Sequence, residues 1–196
     1  MTRLASGAWD APERDGAVEA RRPPNLRPAS VDDAAAIWRH VAGSPVLDTN
    51  SPYAYLLLCD LFRDTCVVAE RTGDIVGFVA AVRPPRRPDT VFVWQIGVAE
   101  AERGSGLGGR LLDALLGLAG CTGVRYLEAT VTPSNDASQA LFRSLARRRR
   151  VDCEVRSHYP EELFPRQPGA SHEAEDLFRI GPFEVPTNPN GQGAEE

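Results

Sequence analysis

Arg103, Gly104, Gly106, Gly108 and Gly109 follow the hydrophobic run VFVWQIGV (residues 91–98) after a short charged turn and open a helical pattern. The order Arg-x-x-Gly-x-Gly suits an anion. Glycine lets backbone N–H groups approach a phosphate closely, and a helix N-terminus adds partial positive charge. The spacing predicts a pyrophosphate grip running from Arg103 through Gly104, Ser105, Gly106, Leu107 and Gly108 to Gly109.

Two cofactors could explain such a grip. Gly104, Gly106 and Gly109 also satisfy the dinucleotide fingerprint Gly-x-Gly-x-x-Gly, and Glu128 stands near the position of its ribose-binding acid. In a dinucleotide fold, however, the strand runs almost directly into the first glycine and the acid closes the next strand. Here residues 99–103 intervene, and Glu128 falls inside the candidate strand 125–131. A glycine-rich helix start without a ligand is the bland alternative.

The elements that must hold this turn suit one domain between two tails, 1–24 and 184–196, that lack periodicity and are expected to be disordered. Ser30, with Asp33 three residues on, can cap a helix whose apolar stripe is Ala34, Ile37, Trp38 and Val41. Ser51 and Pro52 open a second, strongly apolar helix. CVVAE and IVGFVAAV flank Thr72-Gly73-Asp74 and predict an antiparallel hairpin. Strand 91–98, the glycine turn, helix 106–119 and strand 126–131 then make a β-α-β unit. An amphipathic helix follows in DASQALFRSLARR, and short strands near 151–155 and 177–180 complete the sheet.

Composition narrows the function classes. The net charge is −5 and every basic residue is arginine, so no broad cationic surface argues for nucleic acid. The block Arg147–Arg150 reads as a helix end, where cations complement the dipole. Four cysteines, Cys59, Cys66, Cys121 and Cys153, lack metal-ligand spacing and are expected to be buried thiols, with no metal bound. No apolar run could cross a bilayer and the N-terminal stretch is charged, which points to the cytoplasm.

A hairpin feeding a β-turn-α-β unit with Arg-x-x-Gly-x-Gly at the turn resembles the GCN5-related N-acetyltransferase (GNAT) fold over residues 25–183. The resemblance implies an α/β (α+β) domain with a mixed, mostly antiparallel sheet flanked by helices, and splayed strands at an acetyl-coenzyme A cleft. It implies that Ile96, Gly97 and Val98 meet the pantetheine arm, that the turn holds the pyrophosphate, and that Asn135 and Ser138 border the thiol. LDTNSPYAYLLLC, DTVFVWQIGV, TVTPSNDASQALFRSLAR and LFRIGP together resemble the L-2,4-diaminobutyrate acetyltransferases, which precede ectoine synthase in ectoine production. That resemblance implies acetylation of the γ-amine of diaminobutyrate, no membrane or nucleic-acid partner, and a homodimer.

Acceptor chemistry then selects residues. The family fold often places a tyrosine acid where QALFR has Phe142, so Tyr53, in DTNSPYAY, is the first candidate to serve as acid, with Tyr55 packed in its helix. Asp48 and Glu173 are the expected amine-orienting acids, with Thr49, Asn50 and His172 as polar contacts, while Glu175 and Asp176 are expected to be solvated. Trp94 is the expected pocket wall, and strict alternation puts Trp94 and Ile96 on one strand face, Val93 and Gln95 on the other. A catalytically silent coenzyme A-binding module, or an acetyltransferase for another diamine, would share most of these features.

Overall fold

The computed structural model describes residues 22–44, 47, 49–165 and 172–184. Of the expected tails, only 22–24 and 184 fall among them. The short strand β1 (Asn25–Pro28), which the sequence pattern does not announce, pairs antiparallel with β2 (Cys66–Arg71). Helices α1 (Ala34–Ala42) and α2 (Pro52–Leu61) come between them. The hairpin of β2 and β3 (Asp74–Val82) forms as expected. Strand β4 (Thr90–Val98) leads to helix α3 (Leu107–Leu116), and β5 (Tyr126–Val131) returns. Helix α4 (Asp136–Arg149) precedes the final hairpin of β6 (Asp152–Tyr159) and β7 (Glu175–Gly181).

The described strands form one sheet in the order β1-β2-β3-β4-β5-β7-β6, and its one parallel pair is β4 with β5. Alternation along the strands feeds two cores. Val67, Val79, Val91, Leu127 and Phe178 face Leu111 and Leu115 of α3 and Phe142 and Leu145 of α4. Val68, Phe78 and Ala80 face Ile37 and Val41 of α1 and Tyr55 and Leu58 of α2. At the start of this second layer, the Asp33 carboxylate accepts from the Ser30 N–H at 2.8 Å and from the Arg27 guanidinium at 2.7 and 2.8 Å.

Two features depart from the sequence pattern. In the β3–β4 register Ala80 faces Gln95 and Ala81 faces Val93, so Trp94 is an inserted residue without a partner on β3. The expected alternation therefore fails there. Val93 and Ile96 both pack on the α3–α4 core, while Trp94 and Gln95 both meet Tyr55. The second departure is Glu128, fully buried in β5 and bound by Arg87 and Arg179. Committed to two arginines inside a mixed sheet, it cannot serve a ribose, and the dinucleotide reading ends there.

Three of the four expected buried thiols are buried, and Cys153 is half-buried. Burial pushes Cys59 up to about 12 and Cys66 and Cys121 to about 11, and it raises Cys153 as well. None is poised as a nucleophile.

Candidate active site

β4 and β5 pair from Thr90 opposite Tyr126 to Val93 opposite Ala129, and then part although both strands continue. β4 stays with β3, whereas Thr130 and Val131 of β5 pair with β7. The bulge at Trp94 sits where the strands diverge. The resulting opening is part of a cleft of about 450 Å³. Val93, Trp94, Gln95 and Ile96 line one side, and Ala129 to Thr132 line the other. Asn135, Ser138 and Phe142 of α4 contribute from one direction, and Tyr159, Phe164 and Glu175 of the final hairpin from another.

Beyond the cleft, β4 ends in the glycine turn. Gly104 and Gly106 have φ of +75° and +80°, backbone that favours glycine, and Gly106 is the N-cap of α3. The Arg110 N–H to Gly106 carbonyl bond, 3.2 Å, opens the helix ladder, so the N–H groups before Arg110 lie in the first turn, where no intrahelical acceptor exists. Arg103, Gly104, Ser105 and Gly106 are exposed. Leu107 differs from its neighbours because its side chain is buried in the core, leaving only its backbone for a ligand. Gly108 gives close passage to Leu141, whose Cδ1 would lie 3.3 Å from a Cβ at that position. The arginine block does end α4. Arg150 takes the left-handed conformation, and Arg148 and Arg149 bond Asp113 of α3.

Gly97 is a site of close approach. A Cβ there would come within 2.7 Å of the Phe78 ring, 3.1 Å of Leu47 and 3.3 Å of His40. His40 itself is half-buried, and burial, with a smaller contribution from the Arg103 guanidinium, holds its pKa below the usual value. The unfolded chain takes up this proton near its ordinary pKa of about 6.5, and the folded chain resists it. The associated stability is complete above that pH and is lost as pH falls towards the lower folded value. His40→Gln is therefore expected to flatten the acid limb. Urea unfolding at descending pH would show this, and an unchanged slope below about pH 6.5 would refute it.

In the same layer as Phe78, Tyr55 is buried and donates its hydroxyl to Gln95 Oε1 at 2.9 Å, while its ring meets Trp94 at 5.7 Å and 49°. Tyr53, one helical position pair earlier, is 65% exposed and does not line the cleft. Asn50 does line it, and its carbonyl accepts the Trp38 indole N–H at 3.2 Å. Thr49 is exposed, and Asp48 lies outside the described residues. Glu173 is exposed and bonds Ser134 through that residue's hydroxyl and its N–H, immediately beside the cleft-lining Asn135. The Asn135 side chain caps α4 by accepting the Ser138 N–H at 3.0 Å.

Sequence reasoning missed three cleft residues. Glu175, expected to be solvated, is half-buried in the cleft wall with His172 Nε2 at 3.7 Å. Asp176 is half-buried too. Phe164 stacks on the His172 ring with centroids 3.8 Å apart, and Tyr159 stands opposite Glu175 in the β6–β7 register. No group of metal-ligating side chains occurs among the described residues, and no described helix is long and apolar enough to cross a membrane. A cleft between diverging parallel strands, with a glycine anion turn at one end and aromatic and acidic walls at the other, can hold an extended phosphorylated cofactor against a small cationic acceptor.

Comparison with known proteins agrees with this geometry. The profile of the acetyltransferase (GNAT) family matches residues 34–146. The L-2,4-diaminobutyric acid acetyltransferase of Shouchella clausii is 53% identical over 158 residues, covering 81% of this chain and 86% of that protein. The chain belongs to the GNAT family, among its L-2,4-diaminobutyric acid acetyltransferases. A second member of this group, from Halalkalibacterium halodurans, is 53% identical over 79% of each chain. Among solved structures, the diaminobutyrate acetyltransferase EctA from Paenibacillus lautus, in complex with L-2,4-diaminobutyric acid and coenzyme A, is 44% identical with a TM-score of 0.78. It is covered over 95% of its length by 82% of this chain. The mostly antiparallel sheet flanked by helices, with its diverging β4 and β5 strands, is the GNAT fold.

Proposed function

We infer that this enzyme transfers the acetyl group of acetyl-coenzyme A to the γ-amine of L-2,4-diaminobutyrate, releasing coenzyme A and N-γ-acetyldiaminobutyrate for ectoine synthesis. The observation that carries this reading is 53% identity to a diaminobutyric acid acetyltransferase over 81% of this chain and 86% of that protein. The acceptor's ammonium has no lone pair until it loses a proton. The freed amine attacks the thioester carbonyl directly, the carbon–sulfur bond breaks, and the departing thiolate takes a proton. The raised thiols argue against a covalent acetyl-cysteine on the way.

In this reading the pantetheine arm runs along Ile96, Gly97 and Val98, the pyrophosphate sits on residues 103–109, and Asn135 and Ser138 border the thiol. Asp48, Glu173 and the cleft-lining Glu175 hold the substrate's amines. Thr49 and Asn50 supply polar contacts and Trp94 walls the alkyl chain, whereas Tyr53, outside the cleft lining, is not placed to serve as the acid. A cytoplasmic setting suits the four free thiols. A homodimer suits α2, whose outward Tyr53, Leu56 and Leu61 are exposed apolar surface of the kind a second copy covers.

One preparation tests the assignment. Coenzyme A release is expected to be fastest with diaminobutyrate among diaminobutyrate, ornithine, lysine and spermidine, with the acetyl group found on the γ-nitrogen by NMR. Light scattering on the same sample should give the mass of two chains. Equal rates with diaminobutyrate and spermidine would overturn the substrate, and a single-chain mass would overturn the dimer.

A further inference from the structure

The glycine turn has little to lean on. Nothing lies within 4 Å of where a side chain at Gly104 or Gly106 would begin, so the loop stands out from the body of the protein. Its anchor is Glu102, the last residue of the short turn before Arg103. The Glu102 carbonyl accepts from Ser105 Oγ at 2.6 Å and from the Ser105 N–H at 3.3 Å, which fixes the curve of the loop. Its carboxylate is held by Arg71 at the end of β2, Nε to Oε1 at 2.7 Å and Nη2 to Oε2 at 3.1 Å, with both side chains mostly shielded from water. Arg71 also donates through Nη1 to the Arg22 carbonyl at 2.5 Å, tying the fork to the segment that enters β1.

A carboxylate one residue from an anion-binding turn is electrostatically misplaced unless something cancels it. Uncompensated, it would repel the incoming pyrophosphate and disfavour the loop shape that binds it. A planar guanidinium that engages both oxygens cancels the charge and fixes the carboxylate's direction together. We propose that the Arg71–Glu102 fork is a positioning device for the pyrophosphate turn, setting the affinity for acetyl-coenzyme A without touching the reacting atoms. This rests on the coenzyme A reading of the turn.

The test compares Arg71→Met, Arg71→Lys, Glu102→Gln and the double variant Arg71→Met/Glu102→Gln, using steady-state kinetics and calorimetric titration with coenzyme A. Arg71→Met leaves the carboxylate uncancelled and is expected to raise KM for acetyl-coenzyme A about tenfold, equivalent to about 1.4 kcal/mol, with kcat at saturation and KM for diaminobutyrate held within about twofold. Glu102→Gln is expected to raise it by only about threefold, since it removes the repulsion along with the anchor. The double variant should return to the Glu102→Gln level, and Arg71→Lys, which keeps charge but not the fork, should fall between wild type and Arg71→Met. A merely structural bridge would lower Tm in Arg71→Met and leave the acetyl-coenzyme A KM unmoved, and that result would overturn the proposal. A double variant weaker than Arg71→Met alone would do the same. Wild-type protein that fails to bind coenzyme A would instead sink the reading of the turn itself.

Discussion

Glu128→Ala is expected to cost about 3 kcal/mol of folding stability, the low end for breaking a buried ion pair from one side, because the two arginines left behind keep part of their surface in water. Glu128 is fully buried at the centre of the sheet, between β4 and β7. Both carboxylate oxygens are engaged, one by Arg87 from the loop before β4 and one by Arg179 of β7. The Arg179 guanidinium also lies 3.7 Å over the Tyr126 ring, so it cannot swing into water without giving up that face. Truncation leaves a cation facing a void. For a chain of this size the loss corresponds to a fall in melting temperature of about 6–12 °C. Glu128→Ala/Arg179→Met removes the stranded cation and fills space, so it should recover much of the loss, while Arg87 can hydrate at the surface. Thermal and urea unfolding of the two variants would decide it. A melting temperature for Glu128→Ala within about 2 °C of wild type would show that the pair contributes nothing net.

That residue also marks where sequence reasoning stops. The ingredients of the dinucleotide fingerprint were all present in Gly104, Gly106, Gly109 and Glu128. Only the lead-in length and the position of Glu128 within a strand spoke against it. Elements defined by local patterns were legible. The hairpin turn at Thr72-Gly73, the run feeding β4, the glycine N-cap of α3, Ser51-Pro52 before α2 and the Arg147–Arg150 helix end all fell where sequence-near chemistry put them. β1 was not legible because it has four residues, ends in Pro28 and exists only through pairing with β2.

The proposed site divides along the same line. Its proposed cofactor half is contiguous in sequence, from the parting strand to the glycine turn, so its residues stand together in the sequence pattern. Its proposed acceptor half is assembled by sheet register. Glu175 and Tyr159 line the cleft because β6 and β7 pair antiparallel with those two residues opposite each other, and Phe164 arrives with the loop between them. Glu173 and Glu175 carry the same charge two residues apart, so local sequence has no way to tell the one bonded to Ser134 from the one in the cleft wall. The bulge at Trp94 is equally silent, since WQI alternates acceptably as a plain strand. It appears only when the partner strand fixes the register.

The bulge gives the expected result for Trp94. An inserted residue loses its place in the alternation, and here that turns the indole away from the α3–α4 core, to which it does not belong, and towards Tyr55 and the cleft. Gln95, the next residue, is pinned by the Tyr55 hydroxyl at 2.9 Å, so Trp94 cannot slide back into register without breaking that bond. A fixed, 36% exposed indole where β4 and β5 part is suited to cover an alkyl chain and face an ammonium. Trp94→Ala removes that wall and admits water beside the acceptor. It is expected to lower kcat/KM for diaminobutyrate about a hundredfold, about 2.7 kcal/mol at 1.36 kcal/mol per decade, with KM for acetyl-coenzyme A within about twofold. Trp94→Phe keeps a ring face and should recover about tenfold of this. Because Trp94 lies outside both cores, the melting temperature should move little, which separates a lost pocket from a lost fold. Steady-state kinetics with each substrate varied in turn would check the assignment. A rise in KM confined to acetyl-coenzyme A would move Trp94 to the pantetheine arm and take the acceptor pocket away from it.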